Sequence, residues 1–169
     1  MSSADRVIRL LREHGMTLAT AESLTAGLLA STLAEVPGCS SVLRGGVVAY
    51  ATDLKGTVLG IDEHLLTHVV SESVAVGMAE GATRVLGSDI GVGTTGVAGP
   101  EWLDGQSPGT VWIAVHNAQT GQTQARLLRL SGNREGIRRG AVDACLVDIE
   151  FVVRDAAPRT GGTLSGTLE

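Results

Sequence analysis

Aromatic side chains are scarce in this chain. Tyr50, Trp102, Trp112 and Phe151 are all there are, 2% of 169 residues. Proteins that hold single-stranded nucleic acid stack successive bases on aromatic faces, and four scattered rings make no such platform. Positive charge is also in deficit. Eighteen Asp and Glu against 13 Lys and Arg leave a net charge of -5, the wrong sign for gripping a phosphate backbone. Long hydrophobic runs are missing: no apolar stretch approaches the roughly 20 residues of a bilayer-spanning helix. The first residues, Met1 to Arg6, are polar and lack the apolar segment of a secretory signal. Cysteine is limited to Cys39 and Cys145, whose spacing fits no metal site, redox motif or disulfide framework. These shortages argue against nucleic acid and membrane as partners, and the expectation is a cytoplasmic protein with reduced thiols.

Lysine is scarcer still. Twelve of the 13 basic residues are Arg, and the exception is Lys55. GC-rich coding accounts for surface Arg in place of Lys without any chemical reason, but not for the one Lys that remains, for which chance retention is the alternative to a chemical role. The two side chains differ in one respect that matters for catalysis. A guanidinium stays charged, whereas a desolvated amine can lose its proton and act as a base.

What is present is ample for one domain: 43% hydrophobic residues on a chain of this length bury a real core. Apolar spacing predicts a helix over 4–14, with Ser3 as its cap and Gly15 as its stop. Strand-like segments follow at 16–21, 42–51, 89–94, 110–116 and 122–130, the last two forming a hairpin. Helical segments are expected at 24–36, 52–59, 62–66, from Ser71 to about 86, and from the Asn133 cap to about 154. Interleaved helices and strands give an α/β domain over 1–155, with a mixed sheet because the hairpin is antiparallel. Residues 156–169, rich in Gly, Thr and Ser, read as a disordered tail.

Ser23 stands between a strand and the expected 24–36 helix, where a serine is ordinarily an N-cap. It is equally where backbone N–H groups make an oxyanion site and a hydroxyl makes a nucleophile, if a base is near. Lys55, just past the strand that ends near Tyr50-Ala51, would supply such a base in a Ser-Lys pair if the sheet brings the two together. Gly91-Val92-Gly93-Thr94-Thr95-Gly96 matches the dinucleotide fingerprint literally, but Gly99-Pro100 interrupts where a helix must begin, so a dinucleotide-binding reading is weak. A tight turn, or a loop cradling phosphate or ribose, is the alternative. His64 and His68 are four apart without a third ligand, and a solvated helix face is the expected explanation, so no metal site is expected. Arg134 and Arg138 share a helix face that meets an acidic substrate, a neighbouring subunit or solvent.

Six stretches then appear in order: Ala21-Glu22-Ser23-Leu24-Thr25-Ala26-Gly27, Tyr50-Ala51-Thr52-Asp53-Leu54-Lys55, Val70-Ser71-Glu72, Thr95-Gly96-Val97-Ala98-Gly99-Pro100, Gly109 to Ala114, and Gly132-Asn133-Arg134 with Arg138 beyond. Together they resemble the C-terminal domain of the CinA family, the nicotinamide-nucleotide amidases, over about residues 5–153. The resemblance implies a three-layer α/β/α sandwich and a stand-alone form lacking the N-terminal molybdopterin-binding-like domain of longer members. It implies hydrolysis of nicotinamide mononucleotide to nicotinic acid mononucleotide and ammonia in pyridine nucleotide recycling, with no cofactor and with self-association into a homo-oligomer. It assigns Ser23, Lys55, Tyr50 and Thr95 to catalysis, and Glu22, Thr25, Gly27, Gly96, Gly99, Arg134 and Arg138 to the small-molecule nucleotide substrate. Two departures stand out. Ala26 replaces a usual glycine, and Glu101-Trp102-Leu103-Asp104-Gly105 replaces a Gly-rich stretch. That loop's acidity and bulk count against a nucleotide, although a pyridinium charge would favour its carboxylates. A catalytically silent nucleotide-binding or partner-binding paralogue is the alternative these departures leave open.

Overall fold

Large apolar residues and very small ones are divided between the two faces of a single sheet. The computed structural model describes residues 1–157. Strands β1 (Leu18–Glu22), β2 (Leu43–Val48), β3 (Ile90–Gly96), β4 (Thr110–Asn117) and β5 (Gln122–Arg129) form the sheet, in the order β2-β1-β3-β4-β5. The first three of that order run parallel, and β4 and β5 are antiparallel additions. The mixed sheet expected from the sequence is therefore present.

One face carries Leu18, Ile90, Val92, Val111, Ile113 and Val115, buried under α1 (Ser3–His14), α2 (Leu28–Ala34) and α5 (Arg134–Asp155). The other face carries Ala19, Ala21 and Ala114, with α4 (Glu72–Leu86) lying over them through Val74, Ala75, Met78, Ala79 and Ala82. Three layers result, helices on both sides of the sheet, as the α/β/α expectation required. The small face lets α4 approach closely. A Cβ on Gly91 or Gly93 would collide with the backbone of Ala79 or Ala75. This is what the glycines of the apparent dinucleotide fingerprint do. They lie within β3 rather than in a turn after it, and a loop rather than a helix follows.

Local signals decide where elements begin and end. Ser2, not Ser3, caps α1 in a reciprocal box with Asp5, and Gly15 closes it in the left-handed conformation. Ser71 caps α4 and Asn133 caps α5 through their side chains. The largest departure from expectation is at 24–36. The helix begins only at Leu28, because Ala26 (φ 48°) and Gly27 (φ 90°) occupy the left-handed region and break a right-handed helix before it starts. Strand β2 is likewise shorter than 42–51, ending at Val48. Among the described residues no helix is long and apolar enough to cross a membrane. Of the tail expected over 156–169, residues 158–169 lie outside the described residues.

β1 sits between β2 and β3: the chain passes from β1 to β2 through α2 on one face of the sheet and from β2 back to β3 through α4 on the other. Crevices at such switch points, beyond the carboxyl ends of parallel strands, are where ligands bind in open α/β sheets. The register brings Glu22, Val48 and Thr94 level across the three strands, and the residues just beyond these strand ends build the site.

Candidate active site

Three strand ends converge on a cleft of about 470 Å³, lined among others by Ser23, Tyr50, Lys55, Thr95, Gly96, Gly99 and Arg134. All four residues assigned to catalysis by resemblance therefore share one cavity. Gly96, Gly99 and Arg134 of the substrate set join them; Glu22, Thr25, Gly27 and Arg138 are not among its lining.

Lys55 lies on α3 (Thr52–Thr57), a short helix that leaves the end of β2. Its side chain is only 1% exposed, the bulkiest of the fully buried ones. Nζ donates to the carbonyl oxygens of Ala49 (2.8 Å) and Tyr50 (3.2 Å). Among the described residues no carboxylate pairs with it. Burial without a counter-charge disfavours the ammonium and pushes its pKa below the ordinary lysine value. A neutral amine can still donate two hydrogen bonds, so the two carbonyls fit that form and leave its lone pair free for a proton.

Ser23 follows β1 directly, and its N–H donates to the carbonyl of Thr94 at 3.0 Å. Its carbonyl accepts from Ala26 N–H, and that of Thr25 accepts from Leu28 N–H, so 23–28 is a pair of tight turns. The Ser23 hydroxyl carries no hydrogen bond among the described residues, and none joins it to Lys55. Ser23 is not the cap of α2. Glu22 does that work: its carboxylate, 1% exposed, accepts from the N–H groups of Leu29 (2.9 Å) and Ala30 (3.1 Å) and from the Thr20 hydroxyl (3.0 Å). The start of α2 is thus occupied by protein and offers nothing to an oxyanion. The N–H groups of Leu24 and Thr25, in the turn itself, have no partner among the described residues.

The remaining residues hold the walls. Arg138 donates from Nε to Leu24 O (2.9 Å) and from an Nη to Thr25 O (3.0 Å), tying α5 to the Ser23 turn. Thr25 is fully buried and its hydroxyl pairs with that of Thr94 at 2.8 Å. Arg134, one turn before Arg138, donates to Gly99 O (2.7 Å) and to the Tyr50 hydroxyl (2.8 Å). Tyr50 therefore meets Lys55 through its carbonyl and Arg134 through its phenol. The Thr95 hydroxyl donates to Val69 O at 2.6 Å, and the Asp104 carboxylate accepts from the N–H groups of Val69 (2.8 Å) and Val70 (3.4 Å). The Gly99 carbonyl and the Val69 segment are thereby fastened around the cleft. His64 and His68 are exposed and apart from the cleft lining, and among the described residues no cluster of three or more His, Cys, Asp or Glu could hold a metal ion.

Sequence reasoning passed over Thr94 and underread Asp104. Thr94 had no visible signal, since its partner is 69 residues away. Asp104 had one: Asp before Gly is a turn pair in which the Asp itself can occupy the left-handed region, and it does so here at φ 53°.

The family described as the CinA C-terminal domain matches residues 1–152. Among curated proteins, a CinA-like protein of Frankia casuarinae is 45% identical over 142 residues, 83% of this chain and 32% of that protein. The chain spans about a third of the length of the curated relatives it matches. Among solved structures, a competence-damaged protein (CinA) superfamily protein from Klebsiella pneumoniae superposes with a TM-score of 0.87 at 31% identity, covering 91% of this chain and 97% of that one. A competence/damage inducible protein from Agrobacterium tumefaciens superposes with a TM-score of 0.85 at 31% identity, covering 90% and 94%.

Proposed function

The chain belongs to the CinA C-terminal domain family, and on that premise we propose that it is an amidohydrolase that converts nicotinamide mononucleotide to nicotinic acid mononucleotide and ammonia. The observation that carries the reading is Lys55: a buried amine with its proton affinity lowered, in the same cleft as Ser23, where among the described residues the amine has no counter-charge and the serine hydroxyl no hydrogen bond.

In this mechanism Ser23 Oγ attacks the carboxamide carbon as Lys55 Nζ takes its proton. The tetrahedral intermediate collapses by breaking the C–N bond, and the Lys55 proton goes to the departing nitrogen, which leaves as ammonia. Water then attacks the Ser23 ester, giving one proton to Lys55; Ser23 recovers that proton as its C–O bond breaks, and the product acid gives its remaining proton to solvent and leaves as the carboxylate. The N–H groups of Leu24 and Thr25 are the donors available to the oxyanion beside Ser23. Tyr50 and Thr95 act as positioning residues, the first holding Lys55 through its carbonyl, the second holding the Val69 segment. Serine and lysine need not be hydrogen-bonded before substrate arrives, since catalytic contacts often tighten only in the complex.

Incubation of the purified protein with nicotinamide mononucleotide tests the proposal. Ammonia and nicotinic acid mononucleotide are expected in equal amounts. Binding of the nucleotide without release of ammonia would instead support the silent nucleotide-binding reading that the Ala26 and 101–105 departures raised.

A further inference from the structure

Four charged side chains line the cleft: Lys55, Glu101, Asp104 and Arg134. Three of them are already engaged. Lys55 donates to the Ala49 and Tyr50 carbonyls, Asp104 accepts from Val69 and Val70, and Arg134 is shared between Gly99 O and the Tyr50 hydroxyl. Glu101 alone has no hydrogen bond or ion pair among the described residues. Beside it stands Trp102, 67% exposed, second among the described large hydrophobic residues after the N-terminal Met1. Its indole likewise has no partner, yet it lines the cleft.

This pair is not on a loose loop. Leu103 and Gln106 exchange two backbone hydrogen bonds, and Asp104 clamps the loop to the Val69–Val70 backbone. The fold therefore holds a bare aromatic face and an unpaired carboxylate at the mouth of the cavity. Neither contributes to the core, and an exposed tryptophan in a chain with four aromatic residues has no packing explanation.

We infer that Trp102 and Glu101 are specificity-determining residues that select a positively charged aromatic ring over its uncharged counterpart. The inference rests on the amidase reading for the location of the ring, but its content is separate: which ring charge the cleft accepts. An indole face attracts a cation through its quadrupole, and a neighbouring carboxylate adds Coulombic attraction; neither favours a neutral ring to the same degree. The loop's acidity, which the sequence set against nucleotide binding, thus divides into two functions. Asp104 is structural, and Glu101 faces the ring.

Nicotinamide mononucleotide and its reduced form share ribose, phosphate and carboxamide and differ in ring charge, so calorimetric titration with each isolates the effect when every protein titrated, wild-type loop included, carries Ser23→Ala so that the amide is not consumed. The wild type is expected to bind the oxidised, cationic form roughly three- to thirtyfold more tightly than the reduced one. In Trp102→Leu and Glu101→Gln that preference shrinks, and in the double variant it falls to about twofold or less. Both residues are exposed, so the variants fold, and circular dichroism checks it. Equal affinity of the wild type for the two forms, no binding of either, or an unchanged preference in the double variant overturns the inference. Ammonia release is scored separately. A wild type that prefers the cation but releases no ammonia refutes the amidase reading and leaves the ring selection standing.

Discussion

Removing the Glu22 carboxylate should cripple the fold rather than the binding of substrate. The resemblance assigns Glu22 to the substrate, whereas its two oxygens hold the N–H groups of Leu29 and Ala30 in the first turn of α2 and the Thr20 hydroxyl. Glu22→Ala leaves those donors without a partner in a region where the residue itself is 1% exposed. Hydrogen bonds to a charged group are worth about 1.5–3 kcal/mol each, and a buried donor left unmade costs about 1–3 kcal/mol. Against this stands the relief of a buried carboxylate from its desolvation cost, which keeps the net below the simple sum. A loss of roughly 3–5 kcal/mol is expected. At about 2–4 °C per kcal/mol for a domain of this size, Tm falls by roughly 6–20 °C. Glu22→Gln keeps one acceptor oxygen and turns an NH₂ toward the other donors, so it falls between. Urea denaturation followed by circular dichroism gives the stability, and KM is measured at a temperature where each variant is folded. Stability within about 1 kcal/mol of wild type, together with a KM raised tenfold or more, would refute the capping argument and return Glu22 to the substrate.

Three further outcomes rest on local geometry. Lys55 has a lowered pKa in the folded state, so between that value and the unfolded value near 10.5 the unfolded chain holds the extra proton and stability rises with pH. Cys145, whose thiol burial pushes up, works the other way above about 9; the stability of wild type minus that of Lys55→Met isolates the lysine, and it should rise with pH, a fall contradicting the assignment. Ala26→Gly relieves a left-handed alanine at φ 48°, a gain of about 1–2 kcal/mol partly offset by about 0.5–1 kcal/mol of glycine backbone entropy. A net stabilisation of about 0.5–1 kcal/mol by urea denaturation is expected, and a loss would show that the alanine side chain itself is needed. Gly93→Ala drives a Cβ into the Ala75 backbone and forces α4 off the sheet; a loss of about 2–3 kcal/mol or more is expected, and a neutral result would mean that α4 is free to shift.

The layer order was legible because it rests on hydrophobic periodicity and caps, which are local. Gly15, Ser71 and Asn133 end and begin their helices as their types suggest. The start of α2 was not legible, because an alanine was asked to take a conformation that its Cβ opposes, and no sequence pattern announces that. Lys55 stood out by composition, and its burial agrees with the reason given for noticing it. The roles of Arg134 and Arg138 were hidden for a different reason. Their partners are backbone carbonyls and a phenol, 35 to 114 residues away, and every residue type has a carbonyl. The same holds for Gly91 and Gly93, which matched a ligand-binding pattern but serve the approach of a helix. Signals carried by side-chain type survive in a sequence; those carried by the main chain of a distant segment do not.

Ammonia release from nicotinamide mononucleotide by wild type, Ser23→Ala, Lys55→Met and Lys55→Arg, measured side by side, tests the pairing of Ser23 with a neutral Lys55 most directly. The account predicts turnover by the wild type and a fall of roughly 10³-fold or more in each variant, with arginine no better than methionine because a guanidinium cannot take the serine proton. Turnover that survives in either Ser23→Ala or Lys55→Arg would contradict it.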